Sequence, residues 1–169
     1  MKKLICVMMI AGFSMFSNEL YAQSKDGKSI SEDAPALGTS LKKKVATSSI
    51  SMDRSYQELS EEEKEAIRSV YDNMPENDEP PYPLYGTREI HRKMSQTQQY
   101  VAAKGVLTMT VDVSSTGEAQ SVSIYESPDP DITRVASLVL METKYKPAVC
   151  GGKACKMQYF FQVQFSRVL

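Results

Sequence analysis

The stretch GVLTMTVDV at positions 105–113 alternates, unbroken from Leu107 to Val113. Leu107, Met109, Val111 and Val113 fall on one side, and Thr108, Thr110 and Asp112 on the other. A period of two sustained that long describes a strand with one buried face. Such a face needs a cover, so the rest of the chain must supply a second layer.

The neighbouring segments supply it. After the turn SSTGEA, the stretch QSVSIYES reads as a second strand with Val122 and Ile124 facing inward. The short connection makes the pair an antiparallel hairpin. Asp129 is placed to cap a helix, with Pro130 at its first position. Ile132, Val135, Ala136, Val139 and Leu140 then form an apolar stripe at helical spacing. Residues 156–165, KMQYFFQVQF, alternate again, with Met157, Tyr159, Phe161, Val163 and Phe165 on one face as core.

Two helices are expected upstream. Ser60 and Glu63 form a capping box, three glutamates fill the first turn, and Ala66, Ile67, Val70, Tyr71 and Met74 recur at helical spacing over 60–74. The prolines at 75, 80, 81 and 83 end that helix. A second helix is expected over 88–103, with Ile90, Met94 and Val101 as a thin apolar face. The resulting fold class is α+β: a small antiparallel sheet with a β-β-α-β core, packed against an amphipathic helix and preceded by one or two N-terminal helices. The domain spans 58–169.

The N-terminus has the parts of a secretory signal over residues 1–22. Lys2 and Lys3 precede a 13-residue apolar run at 4–16, and Leu20-Tyr21-Ala22 forms a cleavage site before Gln23. The apolar run is short for a spanning helix, which needs about 20 residues. Export to the periplasm is therefore expected, with an uncleaved inner-membrane anchor as the alternative. Residues 23–57, rich in Ser, Lys, Asp, Gly and Thr, read as a flexible linker. A net charge of -1 gives no electrostatic reason to expect nucleic acid as a partner. Membrane association is expected only indirectly, or through an uncleaved signal.

An exported chain retains two of its three cysteines, Cys150 and Cys155, on either side of Gly151-Gly152. The C-x₄-C spacing is not that of a thiol oxidoreductase, and the single histidine, His91, is too far along the chain to suggest a zinc site. A hairpin with Gly152-Lys153 as central residues would place Cys150 directly opposite Cys155, within disulfide range. The pair is read as a structural disulfide.

No catalytic constellation emerges. His91 stands alone and is expected to face solvent from its helix, the acids of SEEEKE lie on a solvated helix face, and no glycine-rich phosphate loop precedes a helix. The expectation is a non-enzyme without catalytic, metal or cofactor sites.

The order of these pieces carries a resemblance. Tyr82-Pro83 is followed by the Gly105-led strand, a turn at Gly117, a strand ending at Ser127-Pro128, and an amphipathic helix. Then come Tyr145-x-Pro147-Ala148, a Gly152-Lys153 turn and a last alternating strand. This resembles the C-terminal domain of TonB, the periplasmic energy transducer of Gram-negative bacteria. The proline-rich spacer of true transducers is missing, and a soluble copy would need another attachment to transmit force. The resemblance implies that the last strand is a sheet edge to which an extended peptide of an outer-membrane transporter adds as a further strand. Carried to this chain, the docking strand holds Lys156, Gln158, Phe160, Gln162 and Gln164, and the role is in transport across the outer membrane. An edge covered by the N-terminal helices is the alternative for the strand. For function, the alternative is a secreted structural domain that self-associates, as a homodimer, through its strands.

Overall fold

The structure is a computed structural model that describes residues 29–31 and 50–166. The expected signal at 1–22 and most of the expected linker lie outside the described residues. Among the described residues, no helix is long and apolar enough to cross a membrane.

The fold is α+β. Its main sheet has four strands: β1 (Ser29–Ser31), β3 (Gly105–Val113), β4 (Ala119–Glu126) and β8 (Met157–Phe165), in the order β1-β4-β3-β8. β3 is antiparallel to both long neighbours, whereas β1 runs parallel to β4. One face of this sheet is the apolar face that the alternation predicts. Leu107, Met109, Val111, Val113, Val122, Tyr159, Phe161 and Phe165 are buried there in a single core cluster. Burying side chains of this size contributes roughly 1.5–3 kcal/mol each.

Helix α3 (Pro130–Glu142) covers β3 and β4, and α2 (Arg88–Gln98) packs beside it. α3 starts where expected, since Asp129 accepts from the Asp131 and Ile132 N–H groups at 2.8 and 3.2 Å. Its Ile132, Ala136 and Leu140 are fully buried. α2 brings Ile90 and Met94 into the core but ends at Gln98, short of the expected Ala103. The first helix, α1 (Glu61–Arg68), is shorter still than the expected 60–74. It begins on the predicted capping box, with the Glu63 N–H donating to Ser60 and the Ser60 N–H donating to the Glu63 carboxylate. After the C-cap at Ser69 the chain turns, and Asn73 adopts a positive φ of 56°. Val70 and Tyr71 are buried, but from turns and not from the helix.

The packed region also begins upstream of Leu59. Tyr56, assigned to the linker by sequence, is in the core, and its ring lies 5.9 Å from that of Tyr82. Lys146 Nζ sits 4.7 Å above the Tyr56 ring and 3.0 Å from the Glu79 carboxylate. Tyr82 belongs to a two-residue strand, β2 (Tyr82–Pro83), which pairs antiparallel with β5 (Tyr145–Lys146). Neither strand is long enough to leave an alternating pattern.

The cysteines lie in a small hairpin of β6 (Ala148–Cys150) and β7 (Lys153–Cys155), and they form a disulfide with Cα atoms 5.8 Å apart. The expected register needs correction. Cys150 pairs with Lys153 and Cys155 with Ala148, so the two-residue turn is Gly151-Gly152 and not Gly152-Lys153. Both glycines have positive φ, 55° and 78°, the requirement of a type I′ turn. The cysteines are thus diagonal neighbours on one face. Gly117, in the β3–β4 turn, serves a different purpose. A Cβ there would lie 2.1 Å from the Tyr145 carbonyl oxygen, so the turn closes against β5 only because the side chain is absent.

Candidate docking edge

β8 is the last strand of the sheet order, so one side of its backbone pairs with β3 and the other leaves the sheet. Its facing follows from one contact. The Gln158 carbonyl accepts a hydrogen bond of 2.9 Å from the Tyr71 hydroxyl, which lies outside the sheet. In an antiparallel ladder the backbone groups of alternate residues point the same way. Phe160, Gln162 and Gln164 therefore turn their N–H and C=O groups outward, as Gln158 does. The β3–β8 register is unbroken from Gly105↔Phe165 to Val113↔Met157, so this facing holds along the strand.

The five residues assigned to the docking strand differ in what they offer. Lys156 precedes the strand and does not belong to it; its ammonium lies 3.7 Å from the Asp112 carboxylate. Gln158 is in the strand, but its side chain is buried and its carbonyl is occupied by Tyr71. Phe160 is half-buried. Gln162 and Gln164 are exposed. Their side-chain amides lie back along the sheet, Gln162 Nε2 to Thr108 Oγ1 at 3.1 Å and Gln164 Nε2 to the Gly105 carbonyl at 3.0 Å. Among the described residues, none pairs with the backbone of Gln162 or Gln164 on its outer side.

A groove of about 380 Å³ runs beside this edge. Ile50, Met52, Ala66, Ile67 and Val70 give it an apolar wall, and Phe160 and Gln162 form the strand side. Two of these, Ile50 and Met52, fall within the segment read as linker. Their signal was the short alternation ISM at 50–52, too brief to stand out among serines.

His91 lines the same groove, contrary to the expectation that it faces solvent. Its ring is 5.8 Å from that of Phe161, and burial holds its pKa below the usual histidine value. Helical spacing explains the difference: His91 and Met94 are three residues apart, so His91 shares the inward side of α2. Burial likewise raises the tyrosines of this region. Tyr56 and Tyr82 are each pushed up to about 12, and Tyr71 well above its ordinary value. All three are neutral hydroxyls at physiological pH, able to donate.

Among the described residues, no group of three His, Cys, Asp or Glu side chains is placed to hold a metal ion. Comparison of the chain with protein-family models, curated proteins and solved structures finds no match.

Proposed function

We propose that this protein is an exported interaction module, similar in kind to the TonB C-terminal domain, that holds an extended segment of a partner protein by strand addition on β8. The setting is the periplasm, and the expected partner is the peptide of an outer-membrane transporter. One observation supports the reading: the backbones of Gln162 and Gln164 turn outward with no partner among the described residues, and Gln162 lines an apolar groove. Strand addition draws affinity from such a ladder and selectivity from pockets for alternate side chains. In this reading the disulfide keeps the neighbouring hairpin closed in an oxidising compartment, and no chemistry is performed.

The test uses proline. Gln162→Pro removes an outward donor without touching the β3 ladder, because edge positions facing solvent tolerate proline. Wild-type protein as bait in envelope extract should recover a transporter. Gln162→Ala and Gln164→Ala should recover it with less than threefold loss, since the ladder survives. Gln162→Pro should lose it more than tenfold while keeping its circular dichroism. A folded proline variant that still recovers the transporter refutes docking on this edge. If size exclusion shows a wild-type dimer that the proline abolishes, self-association through the strand replaces it.

A further inference from the structure

The groove beside β8 has polar side chains on its wall that strand addition does not use. Tyr82 of β2 lines the groove and is 2% exposed, and its hydroxyl makes no hydrogen bond. Buried polar side chains are nearly always paired. One that is not, on the wall of a groove, is a donor open to whatever enters. Thr87 neighbours that hydroxyl, outside hydrogen-bond geometry, and lines the groove as well. It is the N-cap residue of α2, yet its side chain makes no capping bond. His91 stands four residues on, and its N–H donates to the Thr87 carbonyl at 3.1 Å, so the two side chains share one side of α2. The His91 ring touches Phe161, and among the described residues it makes no hydrogen bond.

The rest of the lining is mostly apolar or aromatic, with Ile67, Val70 and Phe161 among it, and no Asp, Glu, Lys or Arg is present. A volume of about 380 Å³ is that of a small-molecule pocket, which spans about 300–1,000 Å³ and combines apolar walls with a few placed polar groups. We propose that the groove binds an uncharged aromatic compound with a single hydroxyl or carbonyl, its ring against the apolar wall and its oxygen accepting from the Tyr82 hydroxyl. A carboxylate or an ammonium would give up its water here with no opposite charge to meet it. A hydroxyl on the ligand is served in both directions, because Thr87 and neutral His91 can each accept as well as donate. Strand addition uses main-chain groups of β8 and this site uses side chains of β2 and α2, so either can fail without the other.

The probes are naphthol, methylnaphthalene and naphthoate of the same substitution pattern, titrated into the full chain at neutral pH and followed by NMR. Naphthol should give saturable shifts at Ile67, Tyr82, His91 and Phe161. Methylnaphthalene should bind about fivefold more weakly, for the one hydrogen bond lost. Naphthoate should not saturate. Tyr82→Phe removes only the hydroxyl, so it should lower naphthol to the affinity of methylnaphthalene and leave methylnaphthalene unchanged. Ala66→Phe fills the groove from a half-buried position of α1 and should abolish binding of both. Should that variant fail to fold, Tyr82→Phe decides. Naphthol that gives no saturable shifts at these residues, or that binds Tyr82→Phe as it binds wild type, overturns the proposal. So does naphthoate that binds as tightly as naphthol, or a folded Ala66→Phe that binds naphthol undiminished.

Discussion

Hairpin β3–β4 has nine residues on one side and eight on the other, and Leu107, Met109, Val111, Val113 and Val122 are wholly buried in the core. Hairpin β6–β7 has three residues on each side, and a Cβ added to either turn glycine would meet nothing within 4 Å. The first is held by area removed from water. The second has little apolar area to remove, and only Ala148 at its base is fully buried. It is tied instead by polar and covalent means: Val149 exchanges main-chain hydrogen bonds of 2.9 and 3.0 Å with Glu79, Gly151 N–H donates to Asp78 at 2.8 Å, and the disulfide closes the strands. A two-stranded ribbon alone is marginal in water, so a short one needs such ties. The contrast shows that the same local geometry can be stabilised through the folded state or through restriction of the unfolded one.

The contrast can be broken most sharply in the long hairpin. Met109→Ala removes a side chain with 0% exposure at the centre of β3 and should cost about 2–5 kcal/mol, measured by urea denaturation. A loss well under that range would mean the sheet is not held by its buried face. The disulfide ranks next. Replacing Cys150 and Cys155 with alanine should cost roughly 2 kcal/mol in the chain-entropy model, because the closed loop is small. Its effect should be matched by adding reductant to wild type, with no change in the far-ultraviolet spectrum. A cost as large as that of Met109→Ala would show that the hairpin supports the core after all.

The smallest effect sharpens the difference through pH. His91 packs on Phe161 of β8, and burial lowers its folded pKa below the unfolded value of 6.5. Its contribution to stability is present above that unfolded value. It is lost as pH falls through the lowered folded value, since the unfolded chain takes up the proton more readily. His91→Leu should remove this acid-side slope from the denaturation midpoint. The disulfide-bonded hairpin holds no titrating cysteine, so the double alanine variant should keep the slope.

Much of the fold was written in local pattern. The alternation of 105–113, the aromatic stripe of β8 and the Asp129-Pro130 helix start each act within a few residues, and each reappears in the structure. The misreadings arose where local signals were ambiguous or too short. Val70 and Tyr71 continue the period of α1, yet the core needs them from a turn, so the helix was drawn too long. Gly151 and Gly152 both tolerate positive φ, and the sequence offers no reason to prefer one register over the other until the ladder is seen. β2 and β5 have two residues each and depend on partners far along the chain. The edge was legible as an alternating last strand, but the contact that occupies the Gln158 carbonyl was not. The Tyr71–Gln158 hydrogen bond joins residues 87 apart, and a tyrosine in an apolar stripe gives no hint that its hydroxyl matters.

The place of β8 in the sheet has a consequence for the order of assembly. The first long strand pairs along its whole length with the last, Gly105 with Phe165 and Val113 with Met157. Everything between, including α3 and both short hairpin strands, must be looped out before that ladder can close, at an entropic cost that grows with loop length. Tyr159, Phe161 and Phe165 complete the same cluster as Leu107 and Met109, so the core stays half-covered until then. A chain emerging N-terminus first, from a ribosome or through a membrane pore, would have no finished interior to protect until β8 arrived. Topology of this kind favours slow, late closure, and it leaves the polypeptide threadable up to its last strand.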